Sequence, residues 1–162
     1  MKTLISASIA ALALATAGAA SAQTCEALVR LDDFGTLPFG AQVVALPEGF
    51  TVVEHCSEGV SVGECVLRDP RGVSYGLYEG YVISKFVEVG DAPLPWEFAE
   101  TADRTRAANL LPRLTRQRST GVMSADNQVH VRSQFACGET FGQAFARYSG
   151  NRLVSVGLEA SL

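Results

Sequence analysis

Short blocks of alternating apolar and polar residues make up most of this chain, and their lengths suit strands better than helices. Gln42 to Leu46 and Phe50 to Cys56 are rich in Val and are bounded by the turn formers Gly40, Pro47-Glu48-Gly49 and Ser57-Glu58-Gly59, so both read as strands. Glu64 to Arg68 and Val73 to Tyr78 flank Asp69-Pro70-Arg71-Gly72, with Pro second and Gly fourth as a type I turn prefers. Glu79-Gly80 then leads into Tyr81 to Val89, whose two-residue period predicts a further strand of a meander.

Pro93 and Pro95 interrupt this pattern, and the period changes after them. Ala99, Ala107, Leu110 and Leu111 fall at helical spacing, so a helix is predicted over Trp96 to Leu111, with Thr101 or Asp103 able to cap a shorter version and Pro112 as its end. Thr115 to Thr120 is polar, and Gly121 reads as a turn. Strands resume at Asn127 to Ala136, Phe141 to Tyr148 and Leu153 to Leu158, the last two joined at Ser149-Gly150-Asn151. The expected order is five strands, one main helix and three strands. That is an α+β domain, an antiparallel sheet of meander hairpins packed with one helix.

A faint internal echo runs through this order. Leu37-Pro38-Phe39 resembles Leu94-Pro95-Trp96, and Tyr78-Glu79-Gly80 resembles Tyr148-Ser149-Gly150. The spacing between the two members differs from one pair to the other, so they hint at two related halves without defining a repeat.

Residues 1–22 differ in kind from the rest. Lys2 is followed by an uncharged run of apolar and small residues from Leu4 to Ala20, and Ala20-Ser21-Ala22 is a small-x-small cleavage site. This is the pattern of a secretory signal peptide, which predicts a periplasmic or secreted domain over residues 23–162. A run so rich in Ala, Ser, Thr and Gly is a poor bilayer anchor, and no second apolar run is long enough to span. Cys25 lies just beyond the cut and invites lipid attachment. Thr24 stands before it, where that processing prefers Gly or Ala.

Export changes how the four Cys are read. Cys25, Cys56, Cys65 and Cys137 form an even set, and an oxidising compartment favours two disulfides. Eight residues containing two Gly separate Cys56 from Cys65, so a local Cys56–Cys65 staple is expected, leaving Cys25 with Cys137. No CxxC is present, and the two His are far apart, so neither a metal nor a cofactor is expected.

Without Lys2 the chain holds 12 basic against 17 acidic residues, a net charge of −5. Nothing in that balance favours nucleic acid. The charge is uneven, however: residues 23–103 carry 14 acids and 4 bases, while 104–162 carry 3 acids and 8 bases. Arg104, Arg106, Arg113, Arg116 and Arg118 fall on the predicted helix and the loop after it. They are a candidate binding face, with Trp96 beside them, because Arg grips carboxylates and phosphates bidentately. Pairing with the acidic first half of the same chain is the competing use, as core packing is for the aromatics.

Thr105-Arg106-Ala107-Ala108-Asn109-Leu110-Leu111-Pro112, followed by strands and by Tyr148-Ser149-Gly150-Asn151-Arg152-Leu153-Val154-Ser155-Val156, resembles small exported domains related to the β-lactamase inhibitor protein and the BamE outer-membrane assembly lipoproteins. The resemblance covers residues 101–162. This helix is single where that family usually has a helical pair. The likeness implies a protein-binding module without catalysis and transfers no functional residue.

One catalytic motif is present. Gly72-Val73-Ser74-Tyr75-Gly76 matches GxSxG, and Asp103 or Asp126 and then His130 follow in hydrolase order. That chemistry needs Ser74 on a sharp strand-to-helix turn, whereas Val73, Tyr75 and Leu77 alternate as a strand does. The sequence therefore predicts an exported, non-catalytic protein-binding module, an inhibitor or envelope accessory protein. A small serine hydrolase using Ser74 and His130 is one alternative, and a periplasmic small-ligand carrier is another.

Overall fold

Alternation along the strands decides which side of the sheet carries the core. The computed structural model describes residues 26–56, 58–117, 121–125, 128–138 and 140–161, and the expected signal segment lies outside them. Eight strands run in one antiparallel sheet: β1 (Thr51–Glu54), β2 (Glu64–Arg68), β3 (Ser74–Tyr78), β4 (Tyr81–Glu88), β5 (Gly121–Ala125), β6 (Gln128–Cys137), β7 (Thr140–Ser149) and β8 (Arg152–Ala160). Their order is β1-β2-β3-β4-β8-β7-β6-β5. A short helix, α1, covers 26–31, and the main helix, α2, is Arg104–Thr115. The α+β class and the meander hairpins are as the sequence predicts.

The chain makes the same meander twice. β1 to β4 and β5 to β8 are each four consecutive antiparallel strands, and β4 pairs with β8 to join them. Even the irregularities repeat. Ile83 is the extra residue where β4 bulges against Gly76 and Leu77, and Val154 is the extra residue where β8 bulges against Arg147 and Tyr148. The bulges make Leu77 the counterpart of Tyr148, so the sequence echo of Tyr78 with Tyr148 marks the right strands but falls one position out of register. Leu37-Pro38 and Leu94-Pro95 lie outside the strands and take no part in the repeat.

Two apolar clusters lie on one face of the sheet. Cys65, Leu67, Tyr75, Leu77, Val82 and Val87 form one against Val43 and Val60. Val131, Phe135, Ala144, Ala146, Tyr148, Val156 and Leu158 form the other, under Ala107 and Leu111 of α2 and Leu31 of α1. Lys85 sits on their seam, with Tyr75 on one side and Leu158 on the other.

Three sequence readings need correction. First, the predicted strand at Gln42 to Leu46 is a single bridge from Gln42 to Tyr81. β8 pairs only with Ser84 to Glu88 of β4, and residues 40–43 bond to Gly80 and Val82 at the unpaired start of that strand. Second, Trp96 and Glu97 are left-handed, with φ of 58° and 62°, so the helix cannot begin there. It starts after Asp103, whose side chain accepts from Arg106 N at 2.7 Å, the geometry of an N-cap. It also runs through Pro112 to Thr115. Leu111 and Thr115 are buried, and Thr115 Oγ1 meets Ser133 Oγ on β6 at 2.6 Å, which offsets the amide bond that Pro112 forfeits. Third, Gly121 opens strand β5 rather than a turn, because β6 extends far enough to pair with it.

Candidate functional site

The side of the sheet opposite the two clusters carries a different set of residues. Arg68, Ser74, Phe86, Gly157, Phe145 and Arg132 stand in register across β2, β3, β4, β8, β7 and β6. Beside that row, Glu88, Ser155, Arg147, His130 and Met123 form another. Helix α2 rests on the cluster side, and no described helix packs on these rows.

Arginines dominate the rows, and each is anchored differently. Arg68 bonds Asp91 at 3.0 Å and Glu88 at 3.6 Å, and its Nε donates to Ser74 Oγ at 3.2 Å. Arg132 reaches Glu159 at 3.6 Å, and a terminal nitrogen lies 3.0 Å from His130 Nδ1. Because guanidinium always donates, Nδ1 accepts and the neutral ring keeps its proton on Nε2. Burial, then the charges of Arg132 and Arg147, hold His130 below its ordinary pKa, with Glu159 opposing them. Arg147 donates to Ser155 Oγ at 2.9 Å and lies 5.9 Å from the centre of the Phe86 ring.

Ser74 and His130, the pair required for a hydrolase, are both on this side but four strands apart in the sheet. At about 4.8 Å per strand that is roughly 19 Å measured along the sheet, far beyond the reach of a nucleophile–base hydrogen bond. Ser74 is buried in a strand rather than raised on a turn into a helix. The required elbow is therefore absent at Gly72 to Gly76. Of the two acids considered with them, Asp103 caps α2, and Asp126 lies outside the described residues.

Three arginines of α2 and its C-cap have internal partners. Arg104 bonds Gly150 O and Asn151 Oδ1 in the β7–β8 turn. Arg106 reaches Glu97 O at 3.4 Å, and Arg116 pairs with Glu26 on α1 at 3.4 Å. Arg113 lies exposed in the last turn, and Arg118 lies outside the described residues. Trp96 is half-buried; its Nε1 donates to Leu31 O, and its ring meets Phe34 edge to face.

The Cys56–Cys65 disulfide is present and ties the chain beyond β1 to β2. Cys137 is not a free thiol, and its expected partner, Cys25, lies outside the described residues. A disulfide is compatible with an oxidising location. No described helix is long and apolar enough to cross a membrane. Among the described residues, no group of three or more His, Cys, Asp and Glu can hold a metal ion. One cleft is lined by His55, Glu58 and Glu64, near the disulfide, and others by Val89, Arg152 and Leu153.

Sequence reasoning missed Arg68, Arg132 and Arg147 as a set, since they are scattered along the chain from β2 to β7. Their shared parity within strands was the available signal, and it becomes useful only once strand order is known. Compared with known proteins, no family model matches this chain, and no curated protein or solved structure matches it.

Proposed function

We propose that this is an exported protein-binding module that acts without catalysis, as an inhibitor or an envelope accessory protein, and that it docks through the face of its sheet away from the helices, the open face, on which Ser74, Phe145 and Ser155 are buried beneath the longer side chains. One observation carries the reading: the side of the sheet away from the helices presents Arg68, Arg132 and Arg147 with the half-buried Phe86 among them. Aromatic residues and Arg are the types enriched at the centres of protein interfaces. Strand hydrogen bonds fix their spacing, so little ordering is needed on binding.

Export fits the signal pattern of residues 1–22 and the Cys56–Cys65 bridge. A second bridge from Cys25 to Cys137 completes the framework in this proposal. Such a bridge would tie the segment before α1 to the end of β6.

The deciding experiment retains envelope proteins on the immobilised mature chain and identifies them by mass spectrometry. Arg68→Glu with Arg147→Glu is expected to release the specific partner, while Arg106→Glu with Arg113→Glu keeps it. A partner lost only with the second pair would move the site to α2. A partner indifferent to both would overturn docking through either surface.

A further inference from the structure

We propose that the open face recognises an acidic loop of its partner protein, seating a carboxylate among His130, Arg132 and Arg147; this rests on the docking reading above. Charge on the face divides between the two halves. In the first half, Arg68 is matched by two carboxylates, Glu88 and Asp91. In the second half, Glu159 is the one described carboxylate within ion-pair distance of Arg132 or Arg147, 3.6 Å from Arg132. No described carboxylate lies within ion-pair distance of Arg147.

The three groups are neighbours by register. His130 stands directly opposite Arg147, and Arg132 is two positions along the same strand on the same side. Side chains so placed lie within about 5 to 8 Å of one another. On the other flank, β5 contributes Gly121 and Met123, which carry no charge. Among the described residues, the charged groups facing His130 are therefore Arg132 on its own strand, Arg147 on β7 and Glu159 beyond it on β8.

Hydrogen bonding on this patch is incomplete. Arg132 Nε is buried without an acceptor. The neutral His130 ring, accepting from Arg132 at Nδ1, keeps a donor on Nε2. Arg147 is held by Ser155 and the Phe86 ring, leaving its terminal nitrogens without a carboxylate. The patch thus offers more donors than acceptors, and a carboxylate is the group that accepts from several at once. A free small acid would be poorly enclosed on an open sheet, since small-ligand sites bury most of the ligand surface. A loop can cover Phe86 and the exposed Met123 of the same side at once, so a protein partner fits the surface.

A bound carboxylate favours the protonated imidazole, so binding takes up a proton and affinity rises as pH falls. The gain sets in as pH falls through the raised pKa of the bound ring and is complete below that of the free ring, which burial and the two Arg charges hold under its ordinary value. Exposed or half-exposed pairs of this kind change affinity by about threefold.

The probe is a phage-displayed library of disulfide-closed loops selected on the exported full-length product, followed by synthesis of the best loop and its acid-to-amide counterpart. The selected loops are expected to be rich in Asp or Glu. The amide counterpart, which loses all three contacts, should weaken binding about tenfold and Arg147→Gln about threefold, while His130→Gln flattens the pH dependence between 7.5 and 5.5. Melting curves confirm that each variant is folded, and Arg147→Lys provides a gentler second variant. Selected loops without acids that lose binding to Phe86→Ser would overturn the carboxylate and leave the docking face standing. Loops indifferent to every face variant, or no selected loops at all, would overturn both.

Discussion

Gly157 stands directly opposite Phe86 at the junction of the two meanders, and the two are equivalent positions in the repeat set by the bulges at Ile83 and Val154. The pseudo-two-fold axis relating the halves therefore passes between them. A residue on such an axis faces its own counterpart, and two large side chains there would collide. A Cβ on Gly157 would lie 2.2 Å from Lys85 O and 2.6 Å from Phe86 Cβ. Glycine at one of the two positions is what lets β4 and β8 close while Phe86 keeps its place on the open face.

Gly157→Ala should accordingly be among the most damaging small substitutions in the protein. The close atoms include backbone, so relief requires β4 and β8 to separate. A loss of at least about 2 kcal/mol is expected by denaturant unfolding, within the range for overpacking a tight site. Gly150→Ala is a useful contrast, since its Cβ would meet nothing, although its positive φ of 59° adds local strain. Equal stability of Gly157→Ala and the parent would show that the junction is looser than these contacts require.

Lys85 and Asp32 make a second uncommon pair. Lys85 Nζ donates to Asp32 Oδ1 and lies 4.7 Å from the centre of the Phe34 ring, with the side chain almost wholly buried on the cluster face. Burial pushes the Lys85 pKa down, and Asp32 only partly restores it. Removing one partner leaves the other charge stranded, at a cost of about 3 kcal/mol or more. Asp32→Leu should therefore destabilise strongly, whereas Asp32→Leu with Lys85→Met should recover most of the loss. A double-mutant cycle with no coupling would show that the pair does not tie α1 to the seam.

How much of this was legible beforehand depends on the range of the information required. The hairpin at Asp69-Pro70-Arg71-Gly72 was readable because its turn chemistry is local, and Gly72 takes the positive φ of 86° that glycine tolerates. The start of α2 was harder. Asp103 was visible as a possible cap, but the left-handed Trp96 and Glu97 accompany a tertiary bond, Trp96 Nε1 to Leu31 O, across 65 residues. In sequence Pro112 reads as a stop, because the Thr115–Ser133 hydrogen bond that extends the helix is equally non-local. The open face was illegible for the same reason: parity puts Arg132 and Arg147 on some face, but only the order β4-β8-β7-β6 brings them beside Phe86.

Asp69 makes the acid limit of stability predictable. Burial alone would raise its pKa, but bonds from Val73 N, Tyr75 Oη, Arg71 N and Thr36 Oγ1 outweigh that and hold the carboxyl below its ordinary 3.8. A depressed folded pKa means the unfolded chain binds the proton more readily. The stabilisation is then complete above about pH 4 and is lost as pH falls through the folded value. Asp69→Asn should lower stability at pH 7 by roughly 2 kcal/mol and flatten the slope between pH 4 and 2. An unchanged slope in urea titrations at those pH values would assign acid unfolding to other carboxyls.

The last prediction concerns the bridges. Cys56 and Cys65 are nine residues apart, and closing a loop of that size contributes about 2.5 kcal/mol through the unfolded chain. Replacing both with Ser should lower stability by about that amount and loosen β1 first, because β1 is an edge strand whose only described pairing partner is β2. Its amides should then exchange with solvent well ahead of those in β4 and β8. If the proposed Cys25–Cys137 bridge also forms, the exported protein titrates with no free thiol after denaturation, and a non-reduced digest contains a peptide joining the two. Two thiols per chain in that titration would rule out the second bridge. The four-strand half from β5 to β8 would then be held without a disulfide, by its packing under α1 and α2 and its pairing with β4, and full reduction should affect only the β1 edge.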